Sequence, residues 1–147
     1  MSHHTRTPDI ATLKVGDYAI FKKTVSPTDV MIYAGASGDF SPLCMDTTIA
    51  NHFGHRTNLV HPMLLFSMAG GAIHRLLPEG SRTISRSFEQ LQHVYASDTV
   101  SIVATIESID HKKNEITIVI QCFLPDESLA LKGLAVESLS VSKENLA

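Results

Sequence analysis

The chain reads as one α+β domain in which an antiparallel sheet wraps round a single long buried helix. Two observations carry that reading. From Met63 to Leu77 the residues Met63, Leu64, Leu65, Phe66, Met68, Ala69, Ala72, Ile73, Leu76 and Leu77 leave almost no polar face. A helix apolar nearly all round belongs inside a protein rather than on its surface. Past Gly80 the apolar period changes to two: Val100, Ile102, Ala104 and Ile106 alternate with more polar neighbours, as a half-buried strand does. With 147 residues the chain is long enough for one domain with a substantial core. The domain is expected over 13–141, with a loosely held segment at 1–12 and a tail at 142–147.

The elements follow in order. Val15 to Val25, with Tyr18 and Ile20, fits a first strand. Ser26-Pro27-Thr28-Asp29 reads as a helix start, with Ser26 as cap, Pro27 at the first helical position and Asp29 in the first turn. That helix is expected to stop at Ser37-Gly38. Residues 39–60 form a mixed stretch with Pro42 and Gly54, best placed as a short helix set in loops. Pro62 suits the first turn of the long helix, and Pro78 with Gly80 ends it. The Gly70-Gly71 pair inside it lowers helix propensity, which points to close approach by another backbone or a ligand. A strand from Thr83 to Tyr95 comes next. A long hairpin follows, in which Asp110 to Asn114 turns the chain and Ile116, Ile118, Ile120 and Cys122 return it. Pro125 to Ser128 is a second turn. It leads into a last strand, Leu129 to Val141, whose phase slips near Gly133, where a bulge is expected. The strong Ile116–Cys122 strand is also the expected edge for association into a dimer.

Composition excludes several classes of function. Hydrophobic residues make up 44% and charged residues 18%, ordinary for a soluble globular protein. A net charge of −3, without a basic cluster, leaves no electrostatic footprint for nucleic acid. The first residues lack the apolar core of a signal peptide, and the apolar stretch is short and interrupted for a membrane span. Cys44 and Cys122 have neither metal-site spacing nor a disulfide framework. His52, His55 and His61 do not share a helical face with a carboxylate, so no metal site is expected. The expectation is a reduced, cytoplasmic protein that binds neither nucleic acid nor membrane.

Chemistry concentrates between Ser37 and Leu64. There Ser37-Gly38-Asp39-Phe40-Ser41-Pro42-Leu43-Cys44 is followed, past Phe53-Gly54, by His61-Pro62-Met63-Leu64. The segment resembles the signature of the MaoC-like, (R)-specific enoyl-CoA hydratases, which runs S-G-D-x-N-P-(I/L)-H-x-D, then F-G, then H-G-M-L. Phe88 to Ile102 resembles the family's F-x-x-P-V-x-x-G-D-T strand entry, with His93 and Ser97 in place of its Pro and Gly. Lys132 to Val136 resembles its closing strand. The resemblance implies a hot-dog fold and water addition across the double bond of an enoyl thioester, with an Asp and a His as the catalytic pair. This chain keeps Asp39. It carries Cys44 where the family has that His, Ser41 for Asn and Pro62 for Gly.

Asp39 and Cys44 are therefore the catalytic candidates, and Ser41, His61, Pro62, Met63, Phe66 and Gly70 the substrate-binding ones. A thiol is a poor substitute for imidazole at neutral pH, and a buried Cys is as readily a small hydrophobe. Proline offers no amide to a thioester oxygen, so the N–H of Met63 is the nearest replacement. The function implied is a hydratase or dehydratase acting on an enoyl or 3-hydroxyacyl thioester, carried by CoA or an acyl carrier protein. Alternatives are a non-catalytic acyl-thioester-binding subunit of a heteromeric dehydratase and a thioesterase-like enzyme. No cofactor is implied beyond the CoA or pantetheine arm of the substrate. The partner is expected to be a second copy or a related hot-dog subunit.

Overall fold

The computed structural model describes residues 10–139. The expected outer segments, and the last strand's end at Val141, lie wholly or partly outside them. After a short 3-10 turn at Ile10–Thr12, β1 (Tyr18–Thr24) leads into α1 (Pro27–Ser37). Two short helices follow, α2 (Pro42–Met45) and α3 (Thr47–His52), and then α4 (Pro62–Ser67) and α5 (Ala69–Leu76). Four strands complete the chain: β2 (Ser81–Gln90), β3 (Thr99–Asp110), β4 (Glu115–Phe123) and β5 (Leu129–Leu139).

The start of α1 is set by local chemistry. The Asp29 N–H donates to Ser26 Oγ at 3.1 Å, and the Ser26 N–H donates to Asp29 Oδ2 at 2.8 Å. This reciprocal capping box satisfies two amides that a helix N-terminus otherwise leaves open. Gly38 ends the helix at φ +78°, a conformation that glycine adopts without the steric cost of a Cβ, and its N–H donates to the Ala34 carbonyl.

The five strands form one antiparallel sheet in the order β1-β3-β4-β5-β2. The strand Ile116–Cys122 is thus central, flanked by β3 and β5, and not the expected edge. Its Ile-rich face belongs to the core, which explains its strength. The edges are β1 and β2. Along β3, Val100, Ile102, Ala104 and Ile106 are buried, and along β4 Ile116, Ile118, Ile120 and Cys122 are too. The same core contains Leu65, Phe66, Ala69, Ala72, Ile73 and Leu76 of α4 and α5.

Five further expectations need correction. The single long helix is two helices meeting at Met68, where the Gly71 N–H donates to the Met68 carbonyl and tightens the turn. A Cβ on Gly71 would lie 3.3 Å from the Phe21 ring, and one on Gly70 would lie 3.9 Å from the Arg86 guanidinium. The glycine pair therefore admits two side chains, rather than another backbone. The helix face is also not buried all round, because one sheet covers one side and leaves Met63 56% exposed. Finally, the slip in β5 falls at Ala130. Cys122 pairs Leu131 while Phe123 pairs Leu129, and Gly133 stays in register opposite Ile120 and Phe88. The strand expected to run to Tyr95 ends at Gln90, beyond which Tyr95 makes only an isolated bridge to Leu59.

No helix among the described residues is long and apolar enough to cross a membrane.

Candidate active site

The loop after α1 is built on short-range hydrogen bonds. Ser37 Oγ donates to the Tyr33 carbonyl at 2.7 Å and accepts from the Asp39 N–H at 3.1 Å. Asp39 Oδ1 in turn accepts the Ser41 N–H at 3.1 Å, an Asx-type turn that aims the carboxylate back along the loop. Asp39 is 54% exposed, and its Oδ2 makes no hydrogen bond among the described residues. One carboxylate oxygen thus holds the loop while the other is left unengaged among the described residues.

His61 lies behind that loop. It caps α4, is 2% exposed, and packs against Tyr33 with ring centroids 4.8 Å apart. Its Nε2 donates to the Asp39 main-chain carbonyl at 2.8 Å and lies 3.9 Å from Asp39 Oδ1. A carbonyl only accepts, so Nε2 carries the proton, and in the neutral ring Nδ1 is the bare acceptor. Nδ1 is buried without a partner among the described residues. The imidazole brought to Asp39 is therefore His61, which the sequence places 22 residues away. Tyr33, which supports it, has no signal in the sequence beyond being one aromatic on the helix before the motif.

Cys44 sits in α2 and is 8% exposed. Burial pushes its thiol up from the ordinary value, the Asp39 charge adds to that, and a hydrogen bond with Ser41 opposes both. Desolvation disfavours a thiolate, and so does a nearby anion. The group is a neutral thiol at physiological pH, able to donate weakly but not to act as a base. Asp39, Ser41, Cys44 and His61 thus share one site.

Pro62 opens α4 and supplies no amide. The Leu65 N–H already donates to the His61 carbonyl, and no side chain caps the helix, which leaves the amides of Met63 and Leu64 at its start. Phe66 lies deeper, stacked on Phe88 with centroids 4.7 Å apart. Gly70 lies beyond it, against Arg86. The other two histidines of the segment go elsewhere: His55 Nδ1 contacts the Tyr95 hydroxyl at 3.1 Å and its ring packs on His93, while His52 packs on Phe53. No three His, Cys, Asp or Glu side chains converge as a metal site among the described residues. A groove of about 440 Å³ on the outer sheet face, lined by Ser87, Glu89, Val119, Lys132 and Leu134, contains none of the candidate residues.

The fold agrees with what comparison with known proteins finds. The pattern of the MaoC like domain matches residues 15–122. The chain belongs to the MaoC-like domain family. Its relatives include an (R)-specific enoyl-CoA hydratase of Aeromonas caviae, 30% identical over 129 residues that cover 87% of this chain and 96% of the relative. A solved (R)-hydratase of A. caviae involved in PHA biosynthesis superposes with a TM-score of 0.84 at 28% identity, covering 88% of this chain and 98% of that one. The architecture of this MaoC-like domain is accordingly the hot-dog fold. A more distant likeness, in fold alone, is to the ChsH1-ChsH2 complex of Mycobacterium tuberculosis, at 17% identity and a TM-score of 0.78 over 86% of this chain and 98% of that one.

Proposed function

We propose that this MaoC-like domain hydrates trans-2-enoyl thioesters, and dehydrates (R)-3-hydroxyacyl thioesters in reverse, with Asp39 as its acid–base group. The observation that carries the reading is the half-exposed Asp39 carboxylate, whose Oδ2 is unengaged among the described residues and whose charge acts on the protonated Cys44 thiol. The acyl carrier is CoA or an acyl carrier protein, and the substrate brings the only pantetheine arm the reaction needs.

In this mechanism Asp39 Oδ2 takes a proton from water as the water oxygen bonds to the β-carbon. Electron density moves to the thioester oxygen, where the Met63 amide stabilises it. The carboxylic acid so formed returns its proton to the α-carbon, which closes the balance: one water added, no group left over. Ser41 fixes the carboxylate through its N–H, and Cys44 donates its S–H to the water. His61 acts as a positioning residue, holding the Asp39 main chain from behind. Pro62 preorganises the helix start, while Met63, Phe66 and Gly70 line the acyl path.

A second reading, a subunit that binds the thioester but leaves acid–base work to a partner, is favoured by two features: a thiol that burial keeps neutral and a helix start without the Pro62 amide. Either way the site faces a second chain. Phe40 is 62% exposed beside Asp39, and Met31, Phe53 and Met63 are exposed too. Apolar exposure on this scale marks an interaction face, here a homodimer or a heterodimer with a related hot-dog subunit. Sedimentation of the pure protein distinguishes these, since a clean monomer at micromolar concentration contradicts self-association.

The direct test of the reaction is stereochemical. Purified protein given crotonyl-CoA yields 3-hydroxybutyryl-CoA of R configuration, and given the racemic product consumes only the R isomer. Thioester hydrolysis without hydration, or formation of the S isomer, contradicts the proposal.

A further inference from the structure

A second polar cluster lies on the helix-facing side of the sheet. Glu137 of β5 is 2% exposed, and its Oε1 accepts from the Thr83 hydroxyl at 2.8 Å and pairs with Arg86 Nη2 at 3.5 Å. Arg86 Nη2 also donates to Thr83 Oγ1 at 3.0 Å. A break in the pairing makes this possible. Thr83 pairs with Glu137 and Ser85 with Val136, so Ile84 is an extra residue in β2. In a regularly paired strand Thr83 and Arg86, three residues apart, would point to opposite faces, because side chains alternate; the bulge brings them to one face.

The cluster is not satisfied by the protein. Arg86 Nε is buried with no partner among the described residues. Among the described residues the guanidinium's one ion pair is the long contact to Glu137, and the side chain remains 25% exposed. A buried polar group without a partner is a site where a ligand oxygen can be recognised. Its setting is equally specific. Arg86 occupies the inward position of β2 just before Phe88, Phe88 stacks on Phe66, and both terminal nitrogens of Arg86 face Gly70. From Met63 to Gly70 the chain rises about 10 Å along the helices, the reach of a medium-length acyl chain.

We propose that Arg86, braced by Glu137 and Thr83, closes the far end of the acyl path and selects thioesters whose chain carries an oxygen acceptor at its distal end. This rests on the acyl-thioester reading above. The chemistry is that of a neutral acceptor. Glu137 already balances the Arg86 charge, so a hydroxyl or carbonyl oxygen adds a charge-assisted hydrogen bond without adding an unpaired anion. A plain alkyl terminus instead strips solvent from the guanidinium and returns nothing.

The test measures binding by titration calorimetry, with octanoyl-CoA and its terminally hydroxylated analogue, each a saturated ligand that cannot be turned over. The wild-type protein binds the hydroxylated chain roughly tenfold or more tightly. In the double variant Arg86→Leu/Glu137→Leu, which replaces the pair by apolar side chains and leaves no lone charge, the ratio inverts toward the plain chain. Each ratio is taken within one protein, so a change in the folded fraction does not move it. Arg86→Lys, tested beside it, keeps the charge but loses the fork and gives an intermediate ratio. Equal affinities in the wild type, or one ratio shared by wild type and double variant, overturn the proposal. Failure of both ligands to bind overturns the acyl path as well. A wild-type preference in a protein that does not hydrate crotonyl-CoA leaves this inference standing and removes only the hydratase reading.

Discussion

In the proposed mechanism Asp39 divides its two oxygens between structure and chemistry, and that division makes single substitutions informative. The motif made Asp39, Ser41, Cys44 and His61 legible as a set, because their spacing survives even where residue types depart from the family pattern. The sequence did not show that His61 would reach Asp39 through its main-chain carbonyl, since a contact across 22 residues depends on how α4 docks. Restoring imidazole at Cys44 supplies a group that titrates near neutral pH. Cys44→His therefore raises kcat for crotonyl-CoA, by up to about 10²-fold, the lower end of general acid–base help. Adding Pro62→Gly gives a further rise if the missing amide limits carbonyl polarisation, and none if Met63 already fills that place. Rates measured at equal folded fraction by circular dichroism check both.

Cys122 carries a prediction about stability. Burial pushes its thiol up to about 12 from an ordinary value of 9.0. The folded state keeps the proton where the unfolded chain loses it, so Cys122 adds stability in full below pH 9. That contribution falls away as pH rises from 9 toward 12. Urea midpoints across this window decline for the wild type and decline less for Cys122→Val. Parallel declines would assign the effect to other groups.

At the scale of elements, the apolar period carries most of the answer and register withholds the rest. The hairpin of β3 and β4 and the capping box of α1 follow from alternation and local hydrogen bonding, both of which are written in adjacent residues. The break at Met68 and the bulges at Ile84 and Ala130 are set by neighbours in space, and neither propensity nor alternation reports them. Gly133 shows the difference. Its place in a polar-apolar slip suggested a bulge, whereas it is conformationally regular and sterically pinned. A Cβ there would collide with the Ser87 carbonyl oxygen and come within 2.8 Å of Phe66 and 3.0 Å of Phe88. Gly133→Ala is expected to cost about 1–3 kcal/mol by forcing β5 or the Phe66–Phe88 stack to move. A thermal midpoint within a degree of wild type would contradict that contact.

For the molecule as a whole, a sheet and two packed helices close one side of the core and leave the Asp39 side open. Fold class was readable from the chain because burial dictates it: an apolar helix and a set of alternating strands have few ways to cover one another. Strand order is not, which is why the Ile116–Cys122 strand reads as an edge from its sequence and is central in the sheet. The buried Arg86–Glu137 pair was equally invisible, since its two members are 51 residues apart and meet only through the slip at Ile84.

The central claim is that Asp39 performs the proton transfers of enoyl-thioester hydration. It is tested most directly by following loss of the enoyl-thioester absorbance of crotonyl-CoA with wild-type protein and with Asp39→Asn, side by side. The amide keeps the shape and the hydrogen bond from Ser41 but cannot take a proton. The account predicts measurable hydration by the wild type and a fall of about 10²-fold or more in Asp39→Asn, with KM little changed. Equal turnover by the two proteins, or no hydration by the wild type at any pH between 6 and 9, would contradict it.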